Sequence, residues 1–327
     1  MKKLLITGWI PEAILEPFRE KFDITVPDEH KTNFTMDEVK QMIGEFDAMF
    51  TIAAFPFQGE LISMAHRMQA VANFGVGYDN IDVKACTEKG IFVINTPTTV
   101  TEPTAELAFA IMLAITKGVV MYDRTLREEK LCHPKMFFDR DMFLMGKTVG
   151  ILGFGRIGQA MARRCKGIGM KVMYYDPFRK SPEEEAALDA VYGSFDEVLE
   201  QADVISCHMP YTPENHGIIN LAAFQKMKKT AYFVNAARGP VMSEADLVTA
   251  LKSGEIRGAA TDVFECEPYV SEELAAIENV VITPHIGSNV LEARKNMVDE
   301  ALNGVFEVLN GLPCHNIVNR ELLSSEK

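Results

Sequence analysis

Between residues 148 and 176 the chain runs through an apolar strand, a glycine-rich turn, a helix and a second strand that ends on an acid. The turn is Gly153-Phe154-Gly155-Arg156-Ile157-Gly158, with strand-like residues 148–152 before it and helical residues 159–165 after it. A glycine turn from strand into helix gathers backbone N–H groups and the positive end of a helix at one point, above a parallel sheet. Gly153 suits the tight turn, Gly155 the close approach of a pyrophosphate, and Gly158 the packing of helix on strand. Asp176 follows Gly158 by 18 residues (176 − 158), after the strand 171–175. That is near the spacing at which an acid meets an adenosine ribose. A carboxylate there would repel a 2′-phosphate, so the expected cofactor is NAD. Arg179, three residues on, is the residue type that could instead serve NADP.

The rest of the chain repeats the strand–helix alternation. Strand-like residues 4–7, 24–26, 48–52, 70–73 and 91–95 are separated by helical residues 12–22, 36–46, 60–68 and 83–89. Thr35 and Glu38 form the sequence signature of a capping box. One long helix is expected from about Glu102 to Glu129, then strands at 148–152, 171–175, 204–208, 231–235, 258–262 and 280–283, and a last amphipathic helix over 290–309. This predicts an α/β protein with doubly wound parallel sheets. A length of 327 residues suits two domains, and a hydrophobic content of 47% supplies two cores. The net charge of −13 argues against a nucleic-acid partner, which needs a basic footprint. The apolar run 107–116 is short of a bilayer span, and Trp9, Pro11 and Glu12 interrupt the N-terminal run, so neither a membrane segment nor a signal peptide is expected. The six cysteines, at 86, 132, 165, 207, 266 and 314, show no CxxC or zinc spacing. Free thiols in a cytoplasmic protein without a metal are expected.

Five segments together carry a resemblance. They are 150–158, Val234-Asn235-Ala236-Ala237-Arg238-Gly239, 262–268 ending in Glu267-Pro268, Thr283-Pro284-His285-Ile286-Gly287, and 73–82 with Gly75-Val76-Gly77. In this order the chain resembles the D-isomer-specific 2-hydroxyacid dehydrogenases over nearly its whole length. The resemblance implies a Rossmann cofactor domain (101–289) inserted into a flavodoxin-like substrate domain (1–100 and 290–327), with a cleft between them and a homodimeric assembly. It implies an oxidoreductase moving a hydride between NAD(H) and a small 2-oxo acid or D-2-hydroxy acid.

The chemistry agrees with that implication. Reducing a 2-oxo acid needs a cation for the carboxylate, donors on the carbonyl oxygen and an acid to protonate it. Arg238 follows the strand 231–235 at its carboxyl end, where such sheets bind ligands, and its guanidinium can fork onto a carboxylate. His285 follows the strand 280–283 and is the natural proton donor near neutrality. Glu267 would pair with it and orient the ring. By resemblance, the Val76 and Gly77 backbone amides bind the substrate carboxylate, and Asp262 meets the nicotinamide carboxamide. Thr104, Pro210, Arg156 and Ile157 complete the cofactor contacts, with His208 bordering them. The family's tryptophan near 127–133 is missing, and Phe137, Phe138, Met142 and Phe143 are read either as the apolar dimer contact instead or as ordinary core. The segment 51–58 would overhang the substrate with two Ala and two Phe and no cation, which favours an uncharged side chain. Alternatives are a phosphoglycerate dehydrogenase-like enzyme and a dinucleotide-sensing co-repressor. The chain runs to Lys327 directly after the last helix, so the extensions expected of either are not seen.

Overall fold

The computed structural model describes residues 1–132 and 141–324. Two compact units emerge, Met1–Val100 with Asn289–Lys327, and Thr101–Ser288.

The first unit holds β1 (Lys2–Ile6), β2 (Phe22–Thr25), β3 (Ala48–Thr51), β4 (Ala70–Asn73) and β5 (Phe92–Ile94), all parallel, in the order β2-β1-β3-β4-β5. That is the flavodoxin-like order. Alternation along the strands makes two apolar faces. Leu4, Ile6, Ala48, Phe50, Ala70 and Ala72 share one core, while Leu5, Met49, Val71 and Val93 join the other. The C-terminal helix Leu291–Leu309 lays Val298, Ala301, Leu302 and Val305 on the first face, at helical spacing. Each large aliphatic group buried this way contributes about 1.5–3 kcal/mol. The chain end also closes the sheet edge. Val93 N donates to Asn319 Oδ1 (2.8 Å), Asn319 Nδ2 donates to Ile91 O (2.9 Å), and Val318 N donates to Val93 O (2.8 Å). These contacts are why residues far apart in sequence form one unit.

The second unit holds β6 (Thr148–Leu152), β7 (Lys171–Tyr175), β8 (Ala190–Tyr192), β9 (Val204–Cys207), β10 (Tyr232–Asn235), β11 (Gly258–Thr261) and β12 (Val280–Ile282). Their order is β12-β11-β10-β9-β6-β7-β8, again all parallel. The order reverses between β6 and β9, so the glycine turn after β6 sits at the switch point where such sheets bind ligands. The edge strand β8 has no counterpart in the sequence pattern. It is three residues long with Val191 exposed, too short to show a period.

The single helix expected over 102–129 is two helices, Thr101–Thr116 and Val119–Glu129, bent by 56°. Gly118 makes the break with φ 60°, and a Cβ there would lie 2.9 Å from the Tyr122 ring. The first helix buries Ala105, Ala108, Ile111, Met112 and Ile115, whereas the second buries no residue. Among the described residues no single helix is long and apolar enough to cross a membrane; only this bent pair passes jointly, and its first half lies in the protein's own core. Of the expected apolar contacts, Phe137 and Phe138 lie outside the described residues, Met142 is buried and Phe143 is exposed.

Candidate active site

The glycine turn is built on β6. Gly153 N donates to Tyr175 O (2.8 Å). Phe154 N and Phe178 N donate to the two oxygens of Asp176 at 2.8 and 2.9 Å, so the acid also ties the turn to the end of β7. The helix Arg156–Gly167 starts after Gly155 with no side-chain cap. A Cβ on Gly158 would collide with the Gly153 carbonyl, while one on Gly155 would meet nothing within 4 Å. The third glycine is therefore a packing requirement, and the second leaves open space beside an uncapped helix N-terminus. Such a cradle fits a pyrophosphate. Gly155 and Arg156 are exposed, Ile157 is half-buried, and Asp176 is half-buried at the strand end. Arg179 is engaged elsewhere. Its Nε and Nη2 donate to Glu185 at 2.9 and 3.0 Å, and its guanidinium lies 5.1 Å from the Tyr192 ring. The Arg179 hydrogen bond, with help from Tyr174, holds the Glu185 carboxyl down at about 2.

Across the switch point, His208 N donates to Leu152 O (2.7 Å), and its Nε2 lies 2.8 Å from Ser206 Oγ. Its Nδ1 is buried without a partner among the described residues, and burial pushes the imidazole down to about 4. Pro210, two residues on, is exposed, and its carbonyl accepts from Asn215 Nδ2 at 2.6 Å. Among the described residues no His, Cys, Asp and Glu group could hold a metal ion.

Three loops after β10, β11 and β12 carry Arg238, Glu267 and His285. Asn235, buried at the end of β10, bends the first loop: its Oδ1 accepts from Ala237 N (3.1 Å) and its Nδ2 donates to Arg238 O (3.3 Å). Arg238 Nη1 donates to Ala237 O at 2.8 Å. Gly239 then passes so close to the Phe264 carbonyl that a Cβ would collide with it. A reciprocal clamp joins the same two loops. Glu265 N donates to Glu244 Oε1 (2.5 Å), and Glu244 N donates to Glu265 Oε2 (3.1 Å).

Glu267 Oε1 accepts from Phe264 N (3.1 Å), and its Oε2 lies 2.8 Å from His285 Nδ1. Burial raises the Glu267 carboxyl, but the His285 hydrogen bond and charge, the Phe264 amide and the Arg238 charge outweigh it, and the net shift is downward. His285 has φ 51°, a left-handed conformation that costs a residue with a Cβ roughly 1–3 kcal/mol. Asp262, buried at the end of β11, offsets that cost. Its Oδ1 accepts from Thr283 Oγ1 (2.6 Å) and Ile286 N (2.8 Å), its Oδ2 from Gly287 N (2.9 Å), and its carbonyl from His285 N (2.9 Å). Hydrogen bonds to a charged group contribute about 1.5–3 kcal/mol each, enough to hold the turn. Burial pushes the Asp262 carboxyl up, against the pull of these donors and of the His285 charge. Thr104 lies beside the same turn, with Cγ2 and Oγ1 at 3.3 and 3.4 Å from the place of a Cβ on Gly287.

Arg238, Glu267, His285 and Asp262 thus sit on neighbouring loops of one unit, with Thr104 on the helix Thr101–Thr116 beside them. Val76 and Gly77 belong to the other, in the loop after β4. The segment 51–58 differs from its sequence expectation: Phe57 is fully buried in the core and Phe55 half-buried against it, which leaves Ala53 and Ala54 exposed, both with positive φ. The turn-holding role of Asp262 and the Glu244–Glu265 clamp are not visible in the sequence. Both depend on contacts across loops, and the one sequence sign is Gly239, a glycine where the next loop crosses.

A switch-point cradle with an acid at the end of the second strand, above loops presenting arginine, glutamate and histidine, defines a dinucleotide-dependent oxidoreductase of the α/β class. The model of the D-isomer specific 2-hydroxyacid dehydrogenase NAD binding domain matches residues 109–287. A glyoxylate reductase of Pyrococcus furiosus is 40% identical over 331 residues, covering 99% of this chain and 97% of that protein. The crystal structure of a glyoxylate reductase from Paecilomyes thermophila superposes with TM-score 0.88 at 29% identity, covering 98% of this chain and 99% of the other. That of a Rhodotorula graminis D-mandelate dehydrogenase gives 0.87 at 28%, covering 97% of each. The chain belongs to the D-isomer specific 2-hydroxyacid dehydrogenase family. It is an NAD-dependent enzyme that interconverts 2-oxo acids and 2-hydroxy acids.

Proposed function

We propose that Arg238, Glu267 and His285 carry the reaction, and that the substrate is a small 2-oxo acid with an uncharged side chain. The observation behind the first part is the 2.8 Å contact of His285 Nδ1 with Glu267, made from a turn held in a left-handed conformation. Glu267 occupies Nδ1, so Nε2 is the atom that gives its proton to the carbonyl oxygen during reduction and removes it during oxidation. Arg238 stays charged and forks onto the substrate's carboxylate or polarises its carbonyl. The Val76 and Gly77 amides take the carboxylate. NAD(H), when bound, supplies or accepts the hydride. Gly153, Gly155, Arg156, Ile157 and Gly158 cradle its pyrophosphate, and Asp176 accepts from its ribose. Thr104, Pro210 and Asp262 border the remainder. Residues 101–289 serve as the cofactor domain, and 1–100 with 290–327 as the substrate domain.

The substrate reading is supported by the absence of any Lys or Arg in 51–58 and by the exposed Ala53 and Ala54. A phosphate desolvated there without a partner would cost several kcal/mol. Similarity to proteins named glyoxylate reductases points the same way. NADH oxidation with glyoxylate, pyruvate, 2-oxoisocaproate, phenylpyruvate and phosphohydroxypyruvate tests it. A highest kcat/KM on the phosphorylated compound overturns the reading. The assembly proposed is a homodimer, since Val119, Val120, Tyr122 and Leu126 of the second bent helix are exposed. The compartment proposed is the cytoplasm, which suits six free thiols.

A further inference from the structure

Three consecutive carbonyls in the loop after β4 are tied down. Gly75 O accepts from Thr96 N (3.0 Å), Val76 O from Asn95 Nδ2 (2.8 Å), and Gly77 O from Asn73 Nδ2 (2.5 Å). The tethers are themselves fixed. Asn73 Oδ1 accepts from Thr51 Oγ1 (2.7 Å) and Asn80 Nδ2 (3.1 Å), and Asn95 O accepts from Asn316 Nδ2 (2.8 Å). Asn73, Asn95 and Asn316 are all buried, where an unmet amide would be costly. A polar network satisfied to this degree is rigid.

Its effect falls on the opposite side of the peptides. Among the described residues the cis bond is Glu267–Pro268, so the peptides joining Gly75, Val76 and Gly77 are trans and planar. In a trans peptide the N–H points away from the carbonyl. Holding Gly75 O therefore aims the Val76 N–H, and holding Val76 O aims the Gly77 N–H. Neither N–H meets an acceptor among the described residues, and both residues are partly exposed. Successive free amides of this kind form an anion-binding nest.

We infer that Asn95 is a positioning residue for the substrate carboxylate, acting through the Val76 carbonyl on the Gly77 amide, with Asn73 fixing the far end of the loop. This rests on the proposed role of the Val76 and Gly77 amides. Neither asparagine touches the substrate. Losing one tether leaves a partly buried carbonyl unmet and lets the amide drift.

The test uses the full chain with saturating NADH. Asn95→Ala should raise KM for pyruvate about tenfold, the size of one lost hydrogen bond. The values of kcat and of KM for NADH should stay within about twofold, because the loss is of ground-state binding in the other unit. Methyl pyruvate, which has no carboxylate, should show an unchanged kcat/KM, a selectivity that general destabilisation would not produce. Asn95→Asp keeps the volume and removes the donor, so it should behave alike, and it serves if the alanine variant folds poorly. Asn73→Asp retains the acceptor for Thr51 and Asn80 and should shift KM in the same direction. Amide resonances of 15N-labelled wild type with NADH, titrated with oxamate, separate the two levels. A shifted Gly77 amide together with an unchanged pyruvate KM in the variants overturns the positioning role alone. An unmoved Gly77 amide overturns the carboxylate role of the loop and this inference with it.

Discussion

His285 shows how a single side chain is aimed. Its ring depends on Glu267 and its backbone on Asp262, through four hydrogen bonds to the Asp262 carboxylate and carbonyl. His285→Ala should lower turnover by roughly 10²–10⁴-fold, the range for one acid–base group. NADH binding, followed by fluorescence titration, should remain near normal because the cradle is untouched. Arg238→Lys should also lose most kcat/KM, since an ammonium cannot reproduce the guanidinium fork. The pH dependence follows from Glu267. Its carboxyl is lowered in the folded protein, so its pairing with His285 is intact above the ordinary glutamate value of about 4.3 and is lost as pH falls through the lowered folded value. Rate measurements should find no loss assignable to Glu267 protonation between about pH 5 and 7. An acid limb that Glu267→Gln abolishes inside that window would contradict the assignment. Asp176→Ala should narrow the preference for NADH over NADPH, and Arg179, held by Glu185, should contribute little to it. Equal kcat/KM with both cofactors in the wild type would count against this role of Asp176.

At the scale of elements, close backbone approaches govern. The helix Arg156–Gly167 packs on the glycine turn only because residue 158 has no Cβ. Gly158→Ala should destabilise the protein by about 1–3 kcal/mol through overpacking and should weaken NADH binding as well. Thermal melts with and without NADH check both effects; an unchanged Tm in both conditions would mean that the approach is looser than described. Strands with continuous apolar runs and helices with capping residues are legible in the sequence, as Thr35 with Glu38 shows. The break at Gly118 is not. An apolar period runs through it from Ile115 to Val119 and Val120, and what ends the first helix is a left-handed glycine beneath Tyr122 and Asp141. Phe57 departs from expectation for a related reason. A phenylalanine in a loop looks the same in sequence whether it lines a surface or, as here, fills a core.

For the whole molecule, Val119, Val120, Tyr122 and Leu126 are exposed on the second bent helix, and the proposed homodimer would cover them. Light scattering at micromolar concentration should give twice the chain mass of 36.4 kDa, and a monomeric mass would refute the dimer. Leu126→Glu should shift the equilibrium toward monomer, since a charge would then be buried in the proposed contact.

The sequence by itself determined the α/β class, and it singled out the glycine turn with Asp176 and the trio Arg238, Glu267 and His285 on which the proposed function rests. Each of these is local, a period of two or 3.6 residues or a short motif at a strand end, and local patterns survive in one dimension. Only the tertiary structure decided that Asp262 holds the His285 turn, that Glu244 and Glu265 clamp two loops, and that Asn95 and Asn73 pin the loop after β4. Those contacts join atoms brought together by the pairing of strands. An asparagine or glutamate in the sequence carries no sign of which distant carbonyl or amide it will meet, because that partner is set by sheet order and by the close packing of the loops above it.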